Sequence, residues 1–261
     1  MMRRLIRSAL GKLGYRLVPV KGLAAVAENY HSALHSLLTC LDSLFIVQVG
    51  ANDGAIADPL HSFVAAIPGR TRLLLIEPQS ELIPFIERNY AFHGRCTVLN
   101  TAIGPEGQLS LYTVDPKYWG KLNVPYAAGW PEYRAPTGVS SADRRHVIGW
   151  LEKYLDRSIS PQVAVREVKV SSTPLLSILD HLQLGSDVDV LQIDAEGYDD
   201  QVIYHASIER TRPKLIHFEI CNLGQTREKR LRDYLAGLGY SLMANGHDAL
   251  AFHQAISGMS K

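Results

Sequence analysis

Phe45-Ile46-Val47-Gln48-Val49-Gly50-Ala51-Asn52-Asp53-Gly54 is the stretch around which the rest of the chain is organised. Apolar β-forming residues run to Val49 and stop at a glycine, and a second glycine follows four residues later. Such a run is typical of a buried parallel strand that ends in a tight turn before a helix. Gly50 and Gly54 allow the backbone to take positive φ and to approach a ligand closely. Because ligands bind at the carboxyl ends of strands in an open parallel sheet, this turn is predicted to belong to a binding site.

Further apolar runs predict the rest of the sheet. The main strands after the first are expected at residues 72–78, 96–103 (with the loop that ends it), 189–194 and 214–220. Helical patterns separate them, and three strand–helix alternations of this length predict a doubly wound parallel α/β sheet with right-handed crossovers. Weaker alternating strands are expected at 108–114 and 166–170. Two strands about the turn signal Asn245-Gly246 are predicted to close the chain as a hairpin.

Length and composition exclude several classes of protein. A chain of 261 residues with 46% hydrophobic and 20% charged residues is typical of one large α/β domain, or of one domain with a sizeable insertion. The net charge of +1 gives no support for nucleic-acid binding. Cys40, Cys96 and Cys221 are far apart and odd in number. We therefore expect reduced thiols in a cytoplasmic protein, with no disulfide framework and no zinc spacing.

Residues 1–43 are predicted to form a basic amphipathic helix and a helical lead-in, and residues 44–261 the main domain. Six basic residues and no acidic ones precede Glu28. Arg7 and Lys12 interrupt the apolar residues too closely for a membrane span or a signal sequence. Two interpretations stay open: residues 1–21 dock peripherally on an anionic membrane surface, or the helix caps the domain or frays in solution.

Residues 115–165 interrupt the strand–helix pattern. Five prolines punctuate the segment, and it contains all three tryptophans of the chain, Trp119, Trp130 and Trp150. Long loops in compact domains usually have a role, so an aromatic stretch with little regular structure indicates a cover or substrate loop. The alternative is an ordinary insertion that packs a small core of its own.

Acidic or amide residues follow four of the predicted strands. They are Asn52 and Asp53, Glu77, Asn100, and Asp194. In a doubly wound sheet the carboxyl ends gather along one edge, so these side chains are expected to lie together. Each alone would more often be a surface turn residue. Glu77 ends the second strand, where an acid commonly accepts hydrogen bonds from ribose hydroxyls.

The combined motifs resemble the FkbM family of S-adenosylmethionine-dependent methyltransferases. The resemblance runs from about Leu44 to His253. It is carried by Val47-Gln48-Val49-Gly50-Ala51-Asn52-Asp53-Gly54, Ile76-Glu77-Pro78, Asn100-Thr101-Ala102-Ile103-Gly104 and Leu191-Gln192-Ile193-Asp194-Ala195-Glu196-Gly197-Tyr198-Asp199. The last block is the most specific. The resemblance implies a Rossmann-like, seven-stranded sheet of the class I methyltransferase type whose last strand pair is antiparallel.

The resemblance also implies roles for individual residues. The residues expected to surround the cofactor S-adenosylmethionine are Gly50, Ala51, Asn52, Asp53, Gly54, Glu77, Asn100, Thr101, Ala102 and Asp194. A hydroxyl is a poor nucleophile until a base accepts its proton. The candidates for that base stand at the ends of the fourth and fifth strands: Asp194, Glu196, His217 and Glu219. Taken alone, His217 is more often a structural residue.

Oxygen ligands from Asp194, Glu196 and Glu219 could also hold a divalent ion. The spacing does not require one, so we predict no metal site. The expected activity is O-methylation of a hydroxyl on a small molecule or, preferably, a saccharide, glycan or glycolipid. Two alternatives remain at this point: an NAD-dependent oxidoreductase or epimerase, and a methyltransferase-like module that binds without turnover. The absence of Gly-x-Gly-x-x-Gly after the first strand argues against the former.

Overall fold

The computed structural model describes residues 26–253. The basic helix predicted for residues 1–21 lies outside that part of the chain, so its docking on a membrane stays a prediction. Between residues 26 and 253 no helix is long and apolar enough to cross a bilayer.

A seven-stranded sheet forms the centre of the molecule. Its strands, in chain order, are β1 (Leu44–Val49), β2 (Thr71–Ile76), β3 (Cys96–Leu99), β7 (Val190–Ile193), β8 (Leu215–Glu219), β9 (Tyr240–Asn245) and β10 (Asp248–His253). They lie side by side in the order β3-β2-β1-β7-β8-β10-β9. Neighbours from β3 to β8 are parallel, whereas β10 runs antiparallel to both β8 and β9. This confirms the predicted doubly wound sheet and its antiparallel closing hairpin.

Helices cover both faces of this sheet. The longer ones are α1 (Val26–Cys40), α2 (His61–Ala66), α3 (Ile83–Asn89), α7 (Leu175–His181), α8 (Asp199–His205) and α10 (Gly224–Gly237), with the short α9 (Ile208–Thr211) before β8. Successive residues of β1 alternate between the two cores: Val47 and Val49 pack in one, and Leu44 and Ile46 in the other. Both faces of β1 are therefore apolar, which explains the unbroken hydrophobic run in its sequence.

The side chain of Asp58 forms hydrogen bonds just before the start of helix α2. The Asp58 carboxylate accepts hydrogen bonds from the backbone N–H groups of Leu60 (2.7 Å) and His61 (3.1 Å). The side chain thus satisfies two N–H groups in the turn that leads into the helix. The helix itself begins at His61.

A second, three-stranded sheet lies beside the first. It contains β4 (Ala102–Ile103), β5 (Gly107–Val114) and β6 (Val165–Thr173), in the order β4-β6-β5. The prediction that residues 96–103 form one strand with its loop was therefore incomplete, because Ala102 and Ile103 pair with Ser172 and Thr173 in the other sheet. The strand expected at 166–170 is longer than predicted, and it pairs with β5 from Val165 to Ser172.

Between β5 and β6 the chain is more regular than predicted. This segment contains α4 (Arg134–Gly138), α5 (Arg144–Tyr154) and α6 (Pro161–Ala164), and two 3-10 helices, Pro116–Lys121 and Pro125–Ala127. Asp143 caps α5 by accepting a hydrogen bond from the N–H of Arg145. Val147 and Leu151, one turn apart, are fully buried in a small separate core. The segment thus packs a small core, and other residues of the segment line the cavity described below. Its role as a cover or substrate loop stays a prediction.

Candidate active site

The turn after β1 brings the chain against the end of β7. Gly50 has φ +79°, and a Cβ added there would lie 1.8 Å from the backbone oxygen of Asp194. No side chain fits at this position, because the backbones of the two strand ends are in contact. The sheet order reverses between β1 and β7, since β2 and β3 lie to one side and β8 to the other. Ligands bind at such switch points in open α/β sheets.

Glu77 holds the end of β2 against this turn. Its Oε2 accepts a hydrogen bond from the N–H of Asn52 (2.8 Å), and its Oε1 accepts one from the N–H of Gln79 (2.9 Å) and one from the Gln79 side chain (3.2 Å). Burial raises the pKa of the Glu77 carboxyl, and these hydrogen bonds partly oppose that shift. A carboxylate accepts about four hydrogen bonds, so one lone-pair direction remains for a ligand hydroxyl.

Residues 133–140 cover the glycine turn. The Tyr133 hydroxyl donates a hydrogen bond to the Asp53 carboxylate (3.2 Å), and the Arg134 guanidinium donates two to the Ile56 carbonyl (2.7 and 3.1 Å). The side chain of Asn52 donates to the Thr137 hydroxyl (3.3 Å). The insertion is therefore attached directly to the predicted cofactor loop.

Carboxylates collect below the turn. Asp194 is exposed and lines the cavity described below. The pKa of its carboxyl is raised well above the usual range, chiefly because the protein around it excludes water, and then because Glu196, Asp199 and Glu219 are negatively charged neighbours. Burial, followed by the charge of Glu196, likewise raises the pKa of Glu219. Each group therefore holds a proton more readily than an ordinary carboxylate does.

His146, on α5, contacts this acidic floor. Its Nε2 lies 3.0 Å from the Glu196 carboxylate. Partial burial lowers the pKa of His146, but the Glu196 carboxylate outweighs this effect, so the net shift is upward. The alignment is poor for a hydrogen bond, so the contact is mainly one of charge.

These groups line one cavity of about 510 Å³, which falls in the usual size range of small-molecule sites. One side is formed by the end of β1, Glu77 and Gln79, and the floor by Asp194, Glu196 and Glu219. Another wall comes from residues 115–165. Its aromatic members are Tyr126, Trp130, Trp150 and Tyr154.

Most of the predicted site residues line this cavity, and the others lie outside its lining. Those that line it are Gly50, Asn52, Glu77, Ala102, Asp194, Glu196 and Glu219. Those outside the lining are Ala51, Asp53, Gly54, Asn100 and Thr101. Asp53 caps the turn through the N–H groups of Ala55 and Ile56, and the Asn100 side chain donates to the carbonyls of Glu77 and Pro78. The roles of all these residues stay predictions.

His217 lies in a separate chamber of about 200 Å³ beneath the floor. Its ring stacks on Tyr30 with centroids 4.3 Å apart, and its Nδ1 lies 2.7 Å from the Gln192 side-chain oxygen. Burial lowers the pKa of His217 to about 4. The structure therefore places this candidate base outside the main cavity, although Asp194 and Glu219 border both spaces.

A model of the methyltransferase FkbM domain matches residues 48–242. The chain belongs to the FkbM methyltransferase family. The match covers the quoted motifs from Gln48 onwards, and we accordingly describe this FkbM protein as an S-adenosylmethionine-dependent methyltransferase with a class I fold. Neither the NAD-dependent alternative nor the non-catalytic module is supported. No curated protein matches the chain.

Several solved methyltransferase structures resemble this FkbM protein at low identity. A precorrin-6y C5,15-methyltransferase from Geobacter metallireducens is 13% identical, with 90% of this chain and 93% of that chain covered and a TM-score of 0.41. A Klebsiella pneumoniae protein described as a candidate O-methyltransferase is 12% identical, with coverage of 96% and 88% and a TM-score of 0.43. Aeropyrum pernix fibrillarin with bound S-adenosylmethionine is 10% identical, with coverage of 86% and 73% and a TM-score of 0.41.

The residues at the ends of β1 and β2 are suited to binding S-adenosylmethionine. Gly50 lets the ends of β1 and β7 come into contact at the edge of the cavity, and Glu77 offers a buried carboxylate at the end of β2. In this FkbM protein Glu77 would hold the ribose hydroxyls, and Gly50 and Asn52 would border the methionine part.

Sequence reasoning missed several residues that shape the site. Gln79 and Thr137 hold Glu77 and Asn52, and His146 contacts Glu196. Gln79 stands two residues after Glu77, so its place beside that acid could have been expected. Nothing in the sequence signals Thr137 or His146, because their partners are distant along the chain.

The buried carboxyl of Asp199, near the acidic floor, is expected to make the stability of the fold depend on pH. Asp199 is fully buried, and burial raises its pKa to about 7. The native state then keeps a proton that the unfolded chain has released, so stability falls as pH rises through the raised pKa. We expect the free energy of unfolding to be about 1 kcal/mol lower at pH 8 than at pH 6.5 from this group alone.

Urea unfolding at several pH values measures this dependence. Asp199→Asn should flatten the slope between pH 6.5 and 8, whatever its effect on absolute stability, and Asp180→Asn on the exposed surface should leave the slope unchanged. An unchanged slope in Asp199→Asn would show that this carboxyl does not titrate there.

Proposed function

We propose that this FkbM methyltransferase methylates a hydroxyl of a saccharide, within a glycan or a glycolipid. The observation that carries the proposal is the pairing of an aromatic wall with a carboxylate floor in one cavity. Sugars present apolar ring faces and polar hydroxyl edges. A site with aromatic faces on one side and hydrogen-bond acceptors on another is complementary to both.

The aromatic wall is a connected cluster. The Trp150 indole N–H donates a hydrogen bond to the Tyr126 hydroxyl (3.0 Å), and the Trp150 and Tyr154 rings lie 5.0 Å apart. Tyr126 also meets Trp130 edge to face at 5.9 Å. Tyr126 nevertheless remains 54% exposed. Rings held in place but still open offer a large apolar surface at little cost in conformational entropy.

The floor favours hydroxyl groups over anions. Asp194, Glu196 and Glu219 line the cavity together. Carboxyl oxygens accept hydrogen bonds, and a carboxyl that keeps its proton also donates one, so these groups suit the O–H groups of a polyol. A phosphate or carboxylate on the acceptor would be repelled at this end of the cavity. This supports a neutral sugar as the acceptor at the reacting centre.

When bound, S-adenosylmethionine supplies an electrophilic methyl on a sulfonium. The acceptor oxygen forms the new C–O bond as the C–S bond breaks, and the hydroxyl proton must leave. Asp194 borders the glycine turn and carries a raised pKa, so its carboxylate is the best placed of the described groups to take that proton. The walls hold the hydroxyl close to the methyl and in line with it.

Trp150→Ala tests the acceptor side of the site. We expect the KM for a saccharide acceptor to rise about tenfold, equivalent to about 1.4 kcal/mol, because the sugar loses an aromatic face. S-adenosylhomocysteine affinity should not change, since Trp150 lies on the far wall. The measurement is transfer of labelled methyl from S-adenosylmethionine to a panel of sugars, glycolipids, phenols and peptides.

Phe92→Ala is the matched control, because Phe92 is also an exposed aromatic residue (44%) but lies outside the cavity lining. Its kinetics should equal those of the unaltered protein. Methylation of a phenol or a peptide, with no turnover of any saccharide, would overturn the proposed acceptor class and leave the methyltransferase assignment intact.

A further inference from the structure

We propose that Glu219, Cys221 and His247 bind a zinc-class divalent cation at one end of the active-site cavity. Each residue offers one ligand atom, and these three atoms all lie within 4.8 Å of one another. All three residues line the cavity. Among residues 26–253 this is where such ligands come together, and Asp194 and Glu196 are not members of the group. The inference does not depend on the saccharide proposal.

The backbone fixes the two parts of the site relative to each other. Glu219 ends β8, Cys221 follows two residues later, and His247 stands in the turn between β9 and β10. The N–H groups of Ile220 (2.8 Å) and Cys221 (3.2 Å) both donate to the carbonyl oxygen of His247. The main chain therefore holds Cys221 and His247 side by side without help from their side chains.

Small side-chain movements complete the ligand geometry. In a tetrahedral zinc site the sulfur and nitrogen ligands lie about 3.5 Å apart, so the three atoms must close by roughly 1.3 Å or less. Cys221 and His247 are exposed, which leaves their rotamers free to adjust. Glu219 is half-buried and anchored by the Asn222 side-chain amide, which donates to its Oε2 at 2.5 Å. Glu219 is thus held in place, and the side chains of Cys221 and His247 can move towards it.

The donor types select the cation. A thiolate and an imidazole favour zinc and similar transition ions, whereas magnesium and calcium prefer oxygen ligands alone. Three protein ligands leave a fourth position, as in catalytic zinc sites, and here it is open to the cavity. Water or an oxygen of the acceptor would fill it. The carboxyl groups of Glu196 and Asp248 lie close enough to act electrostatically on Glu219.

Cobalt(II) titration of the full-length, chelator-treated protein tests this site. Cobalt bound to a thiolate gives a charge-transfer absorption band, and zinc has no such band. We expect the band to saturate at one equivalent of cobalt and to disappear on addition of one equivalent of zinc. Cys221→Ser should abolish the band, and His247→Ala should weaken cobalt binding at least about tenfold.

Cys40→Ser is the matched control, because Cys40 is also an exposed thiol but lies on α1, outside the cavity lining. It should keep the band, and thermal melting should show that each variant is folded. Should Cys221→Ser fail to fold, His247→Gln provides the same test. No band at one equivalent of cobalt, a band that survives in Cys221→Ser, or one that is lost in Cys40→Ser would overturn the metal site. The readout is binding, so it stands apart from any failure of methyl transfer.

Discussion

Replacing Asp194 by Asn should lower kcat for methyl transfer by about 10²–10⁴-fold, the usual contribution of a general base. Asn keeps the size of the side chain and its place beside the glycine turn, but it cannot accept the hydroxyl proton. The affinity for S-adenosylhomocysteine should change by less than about tenfold, because the contacts at Glu77 and Asn52 remain.

The pH–rate profile separates this role from a purely structural one. The unaltered enzyme should gain activity as pH rises through the raised pKa of Asp194, since only the ionised carboxylate accepts a proton. That rise should be absent from Asp194→Asn. Asp187→Asn is the control, because Asp187 is exposed and lies before β7, at the other end of the strand. A variant of Asp194 that retains kcat and the same profile would transfer the role to another group, with Glu219 the next candidate.

Gly50→Ala should remove S-adenosylhomocysteine binding, with an affinity loss of at least about 100-fold, as expected when a site is displaced by about 1 Å. The added methyl group would lie 1.8 Å from the Asp194 backbone oxygen, so the ends of β1 and β7 must separate. The residue also has φ +79°, a conformation that costs an L-residue about 1–2 kcal/mol. Both effects act where the cofactor is expected.

Gly69→Ala gives the matched comparison. A Cβ at Gly69 meets nothing within 4 Å, and its φ is not positive, so neither effect applies there. Calorimetric titration with S-adenosylhomocysteine and thermal melting should show Gly69→Ala unchanged. Binding by Gly50→Ala equal to that of the unaltered protein would mean that the cofactor does not sit at this turn.

The central sheet could be predicted because its sequence signals are local and consistent. A strand buried on both faces needs an unbroken apolar run, and Leu44–Val49 supplies one. The turn signal Asn245-Gly246 between two strands likewise predicts the closing hairpin. The short strand Ala102–Ile103 was missed, because two residues carry no periodicity and its partner, β6, lies far along the chain.

The helices within residues 115–165 could not be predicted for a different reason. Prolines usually interrupt helices, which led to the prediction of little regular structure. Pro136 lies in the first turn of α4, where a missing N–H costs nothing, and α5 falls between prolines. The helical spacing of Val147 and Leu151 was the available signal, and only their shared burial in a small core makes it decisive.

The candidate site was predictable where ligand-facing residues follow strands. Gly50, Glu77 and Asp194 all line the cavity because parallel strands end at the same edge of a sheet. His217 follows the same alternation as Glu219, yet it faces the lower chamber with Tyr30, a contact that depends on how α1 packs. Tertiary packing determines contacts of this kind, so the local sequence does not predict them.

Calorimetric titration of the full-length protein with S-adenosylhomocysteine, alongside NAD, tests the cofactor assignment most directly. We expect S-adenosylhomocysteine to bind one to one in the micromolar range, corresponding to roughly −8 kcal/mol, and NAD not to bind. Binding of NAD alone, or of neither compound by a folded protein, would contradict the placement of S-adenosylmethionine at the Gly50 turn and every role inferred from it.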